Sequence, residues 1–148
     1  MDGKTWIGAV ETATIEAMDT LRYVWIPDEL AVCRLPKDSP VPDWLPTEGF
    51  TCVTRTDDEL SIVCESREVP PGIKSERGWR ALKVLGPLPF DAVGILRRFV
   101  APLADAGIPI IGIGTFDTDY VMVRADQIDS ANVALAKAGL VAVSNEAN

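Results

Sequence analysis

The stretch Ile108–Val123, IPIIGIGTFDTDYVMV, constrains the chain more than any other. It reads as two strands folded back on each other at a tight acidic corner. Ile108, Ile110, Ile111 and Ile113 supply the β-branched content of the first strand, and Tyr120, Val121, Met122 and Val123 form the second. Thr115–Asp119 between them is polar and too short to be anything but a turn with its two shoulders. Gly112 and Gly114 leave two side-chain positions empty just before that turn. In a strand, such gaps mark places where a ligand or another backbone comes close.

Composition narrows the classes of function. A chain of 148 residues makes one compact domain or two small halves sharing a core. With 47% hydrophobic and 24% charged residues it is ordinary globular material. No apolar run approaches a membrane span. Met1–Leu21 carries Asp2, Glu11, Glu16 and Asp19 with no basic end ahead of an apolar block, so it does not read as a secretory signal. A cytoplasmic protein is expected, with no membrane partner. A net charge of −8 speaks against nucleic acid, which requires a basic face.

The chain has no histidine, which removes Ser–His and Cys–His nucleophile pairs, the imidazole base and nearly every zinc site. Cys33, Cys52 and Cys64 sit in apolar, strand-like contexts and read as small buried hydrophobes rather than redox or metal groups. No catalytic residue, cofactor or metal is expected.

Taken in order, residues 1–20 form an extension with a weak helical stripe, Ile7, Val10, Met18 and Leu21 at its end. Leu21–Leu35 reads as two strands around the Asp28-Glu29 corner. Prolines at 40, 42 and 46 then permit only one short helical turn, around Pro42–Leu45. Phe50–Thr56 and Glu59–Cys64 make a second strand pair, and Glu65–Gly78 is a connector or a short helical remnant. Trp79–Leu85 is a strand. Asp91 is placed to cap a helix over about 92–106, with Val93, Leu96, Phe99, Val100 and Leu103 as its apolar stripe and Gly107 as its stop. After the central hairpin, Asp126 is placed to cap a helix from about Gln127 to Ala138, and Val141–Val143 makes a last strand. The four tryptophans read as core or subunit contacts, Phe116 as packing, and Arg97-Arg98 as a solvated helix face.

From Trp79 onward the order is β-α-β-β-α-β, the split βαβ or ferredoxin-like arrangement, an antiparallel sheet with helices on one face. A worn copy precedes it. VTRTDDELSIV at 53–63 aligns with IGTFDTDYVMV at 113–123 at an offset of 113 − 53 = 60 residues, placing Asp57 on Asp117 and Glu59 on Asp119. The expected organisation is an extension over 1–20, a degenerate unit over 21–77 and a complete unit over 78–148.

GPLPFDAVGILRRFVAPLADAGIPIIGIGTFDTDYVMV resembles an ACT domain of the aspartokinase kind, with Gly94-Ile95-Leu96 as the Gly-hydrophobic-hydrophobic step of its loop and helix. The combination of DDELSIVC, GWRALKV and GTFDTDYVMV is similar to small tandem-ACT proteins of bacteria and to the cytosolic arginine sensors of animal cells. That resemblance implies paired ACT units, α+β and ferredoxin-like with the first degenerate, holding an amino acid at a unit interface. Carried over by motif, it places Ser61 and Ile62 on one side of the ligand. On the other side it places Pro89, Val93, Gly94, Ile95 and Leu96, with Thr115, Phe116 and Asp119 from the hairpin. The sensors carry an acid two positions before the glycine, where this chain has Ala92, with Asp91 one further back. Arginine is therefore not carried over with the motif.

The residue chemistry points the same way. A zwitterion needs acceptors for its ammonium, which Asp119, Asp91 and Asp117 can supply through charge-assisted bonds. It needs donors for its carboxylate, which the backbone N–H groups left free at the helix start, Ala92–Leu96, provide. Gly94 lets a ligand approach them, and the Ser61 and Thr115 hydroxyls can serve either end. The expected function is a non-enzymatic, ligand-sensing regulator, a homodimer whose states a further protein reads. A purely structural oligomerisation module and a small carboxylate-dependent enzyme are the rival readings.

Overall fold

The computed structural model describes residues 20–145. The expected N-terminal extension therefore lies outside the described residues, and so does Trp6. The described chain forms two compact units, one from residues 20–26, 81–123 and 127–145, the other from residues 27–80 with 124–126.

The larger unit is built on strands β1 (Arg22–Trp25), β6 (Ile111–Gly114), β7 (Asp119–Arg124), β8 (Val141–Ala142) and the second part of β5 (Lys74–Val84). Helices α1 (Ile95–Asp105) and α2 (Ile128–Lys137) complete it. The strands lie in the order β6-β7-β5-β1-β8. Tyr23, Leu82, Val84, Val121 and Val123 alternate onto one face. There they pack against Ile95, Phe99 and Leu103 of α1 and Ala131 and Leu135 of α2, which leaves both helices on that face.

The α+β, ferredoxin-like class stands, but the expected all-antiparallel sheet does not. β1 pairs antiparallel with β5, Tyr23 opposite Val84, and thereby takes the edge that β8 would otherwise occupy. β8 is left to pair with β1 instead, in parallel, with Arg22 opposite Val141. The Val141 and Val143 N–H groups donate to the Leu21 and Tyr23 carbonyls at 3.1 and 2.8 Å.

The second unit carries β2 (Leu30–Leu35), β3 (Cys52–Arg55), β4 (Leu60–Glu65) and the first part of β5, in the order β3-β4-β2-β5. Its four strands follow the ferredoxin-like order, all antiparallel. No α-helix stands between them among the described residues. The first crossover is the proline-rich segment, which closes one turn through Leu45 N–H to Pro42 O at 3.2 Å. Trp44 and Leu45 of that turn cover a core of Ala31, Cys33, Leu60, Ile62, Cys64 and Val69. The second crossover is reduced to a 3-10 turn over Ser66–Glu68. Trp79 carries the Arg124 guanidinium over its ring at 4.9 Å.

The two hairpins share a register that corrects the sequence alignment. In the first, Arg55 faces Leu60 and Thr56 N–H bonds Glu59 O at 2.9 Å. In the second, Gly114 faces Asp119 and Thr115 N–H bonds Thr118 O at 2.8 Å. Thr56 therefore matches Thr115, an offset of 115 − 56 = 59 rather than 60. Each threonine Oγ1 accepts turn N–H groups, Thr56 from Asp58 and Glu59 and Thr115 from Thr118, all at 3.2 Å. This offset places members of the two core clusters on each other, Ile62 on Val121 and Cys64 on Val123. A slip of one would turn each side chain to the opposite face.

Candidate functional site

The loop from β5 to α1 differs from its sequence reading. Ala92 N–H closes a turn on Pro89 O at 3.1 Å, and α1 begins three residues later than expected, at Ile95. Asp91 does not cap it. The capping position is Gly94, at φ +82°, and no side chain bonds the first turn. A left-handed residue there is what glycine supplies without steric cost. Gly94 thus lies before the helix rather than inside it. Arg98 N–H is the first to find a helical partner, Gly94 O at 3.3 Å, which leaves Ile95, Leu96 and Arg97 N–H at the positive end of the helix. At the far end the expected stop holds. Gly107 takes φ +74°, with Gly107 N–H on Ala104 O and Ile108 N–H on Leu103 O, both at 2.9 Å. The second helix start shows the same correction, since Gln127 rather than Asp126 is its cap and makes no side-chain bond.

The hairpin turn is tied to this loop. Leu88 N–H donates to Asp117 O at 2.7 Å, and Thr118, buried, donates through Oγ1 to Val84 O. Thr115 Oγ1 also donates to Thr118 O at 2.9 Å, which fixes the turn. Between loop, helix start and turn lies a cleft of about 230 Å³. That is smaller than the roughly 300–1,000 Å³ of drug-sized sites and suits one small metabolite.

One wall of the cleft is Pro89, Gly94, Ile95 and Leu96, and the other is Thr115, Phe116 and Asp119, so the structure brings these expected residues together. Asp91 and Val93 are exposed beside the cleft and do not line it. Ser61 and Ile62 belong to the second unit. Ile62 is fully buried in its core, and Ser61 lines a separate cleft of about 170 Å³ with Arg34, Glu59 and Lys74.

Four lining residues escaped the sequence reading: Leu88, Phe90, Arg97 and Thr118. Arg97 was hidden by the misplaced helix start. With α1 beginning at Ile95, it falls in the first turn, exposed as expected and also lining the cleft. Phe116 is not packed either. It is 80% exposed and meets Phe90, 76% exposed, edge to face at 4.9 Å between centroids. Asp119 makes no ion pair among the described residues, and its Oδ1 lies 3.6 Å from where a Cβ on Gly114 would stand. The described residues contain no group of three His, Cys, Asp or Glu able to hold a metal, and no helix among them is long and apolar enough to cross a membrane.

A βαββαβ unit whose first helix opens uncapped onto a cleft is the architecture of an ACT domain, and the family model described as ACT domain matches residues 74–137. A further family model, described as an N-terminal domain, matches residues 28–72. The chain belongs to the ACT-domain family, and it is similar to protein Atu0741 of Agrobacterium tumefaciens, with which it is 32% identical over 87% of this chain and 96% of that one, at a TM-score of 0.81. It is also similar in fold to protein VC0802 of Vibrio cholerae, 20% identical over 86% of this chain and 97% of that one, with a TM-score of 0.70. The regulatory subunit of aspartate kinase from Thermus thermophilus shares the fold at 13% identity, 78% and 96% coverage and a TM-score of 0.55. No curated protein sequence matches the chain.

Proposed function

We propose that this chain is a non-enzymatic regulatory protein that binds an amino acid in the cleft between the start of α1 and the β6–β7 turn. The observation that carries the reading is that an uncapped helix start and Asp119 line one cleft of about 230 Å³. The helix start offers N–H groups and a positive dipole end to a carboxylate, and Arg97 adds a cation beside them. Asp119 offers an acceptor to an ammonium. A zwitterion satisfies both walls at once. The similarity in fold to a protein described as the regulatory subunit of aspartate kinase supports a regulatory role of this kind.

Ligand binding would favour one arrangement of units, and a further protein would read the difference. The working form in this reading is a cytoplasmic homodimer. Val133 on α2 and Val141 on β8, 55% and 46% exposed, are among the exposed apolar side chains that could support pairing, and light scattering tests for a dimer. Ser61 and Ile62 enter this reading only through the family resemblance, and the ligand itself is tested at Asp119. In a thermal-shift and calorimetric screen of the twenty amino acids, at least one is expected to bind the full chain, and Asp119→Asn to abolish its effect. A screen in which none binds would remove the sensor reading and leave an oligomerisation module.

A further inference from the structure

Among the matched positions at which the two hairpins differ, two change in opposite senses. At the turn tip, Asp57 of the first hairpin corresponds to Phe116 of the second, so an exposed acid is replaced by a phenyl ring 80% exposed. At the strand start, Leu60 corresponds to Asp119, so a fully buried aliphatic side chain is replaced by an acid on the core-facing side. Apolar has moved out and charge has moved in. Each change runs against the ordinary distribution of side chains in a folded chain, and both fall on the lining of one cleft.

From this inversion we infer that the ligand is an amino acid with a large apolar side chain, bound with its ammonium inward and its side chain outward against the Phe116 and Phe90 rings. The inference rests on the amino-acid reading of the cleft and names the class of ligand within it. The lining holds the groups that a zwitterion's common part requires, the part-buried Asp119 and the helix start. The mouth holds Leu88, Pro89, Phe90 and Phe116, and the two rings already meet edge to face, an arrangement that leaves ring faces open to an apolar group. A short side chain would leave both rings in water. A carboxylate side chain would meet Asp117 at the turn tip.

The test is calorimetry on the full chain with L-phenylalanine, L-leucine, L-lysine, L-glutamate and L-alanine. The inference expects phenylalanine or leucine to bind roughly tenfold tighter than the other three, the size of effect that burying such a side chain against aromatic rings gives. Phe116→Asp, which restores the residue of the first hairpin at an exposed position, is expected to collapse that preference. Tighter binding of lysine or glutamate, or a preference that survives Phe116→Asp, would overturn the inference while leaving an amino-acid sensor standing. Absence of binding by all twenty amino acids would overturn both.

Discussion

Asp119 occupies in the second hairpin the place that Leu60 occupies in the first. Both open a strand, both follow a four-residue turn begun by threonine, and both alternate with residues of a helix-facing or loop-covered core. Leu60 is fully buried, whereas Asp119 is only partly so and lines the cleft. An acid where the sister strand buries leucine adds little apolar packing, and in the proposed reading its role is to hold the ligand. Asp119→Leu is therefore expected to preserve stability or raise it by up to about 1.5 kcal/mol, since some apolar surface is gained. The same substitution is expected to abolish the amino-acid response. Urea denaturation and a thermal-shift titration on one sample measure the two effects, and a large loss of stability would show that Asp119 is structural.

One amide ties two elements of the helix-bearing unit together. Asn132 Oδ1 accepts from Tyr23 Oη at 2.7 Å and from Trp25 Nε1 at 2.8 Å, joining α2 to the strand β1 that arrives from far earlier in the chain. Tyr23 is 1% exposed and packs edge-on against both Trp25 and Phe99. Removing the acceptor leaves two donors without a protein partner, so Asn132→Leu is expected to cost about 2–3 kcal/mol. Asn132→Asp keeps an acceptor oxygen and is expected to cost less. Urea unfolding followed by tryptophan fluorescence separates the two variants.

What could be read in the sequence was what periodicity and turn chemistry encode locally. Val121 and Val123 announce a strand with one buried face, and Gly107 announces a helix end, because each acts through near neighbours. The start of α1 was not legible in this way. Asp91 has the chemistry of a cap, but the Pro89–Ala92 turn spends those residues first and Gly94 begins the helix with no side chain at all. The place of Arg97 on the cleft lining was missed as a consequence. The one-residue error in the repeat had another source: the acids align well at 60, while the threonine bonds that close both turns align at 59. The place of β1 between β5 and β8 is a long-range pairing, and nothing in RYVW distinguishes one partner from another.

Gly94 and Gly112 make a matched test of backbone against space. A Cβ at either would meet no atom within 4 Å, yet only Gly94 has a left-handed φ, at +82°. Gly94→Ala is expected to cost about 1–2 kcal/mol, the price of that conformation for an L side chain. Gly112→Ala is expected to stay within about 0.5 kcal/mol. Because the α1 start frames the cleft, Gly94→Ala should also weaken the ligand response, and Gly112→Ala should leave it intact. Equal losses of stability in the two variants would show that conformation at Gly94 is not what glycine provides.

Cys33 and Cys64, both buried in the smaller unit, predict how stability responds to alkali. Burial pushes the Cys64 thiol up to about 11, reinforced by the neighbouring Cys33 and Glu68 and opposed by Arg77. Burial raises Cys33 as well, and raises Tyr23 in the larger unit. A raised pKa in the folded state means that folding retains a proton the unfolded chain releases. This contribution is complete below the ordinary thiol value of 9.0 and is lost as pH climbs toward 11. The urea midpoint is therefore expected to fall across that interval, and Cys64→Val to flatten the fall without removing it, since Cys33 and Tyr23 titrate in the same sense. At pH 8 a thiol reagent is expected to modify the half-buried Cys52 first and to reach Cys33 and Cys64 only on unfolding. Rapid labelling of all three in the native protein would contradict both the burial and the pH profile.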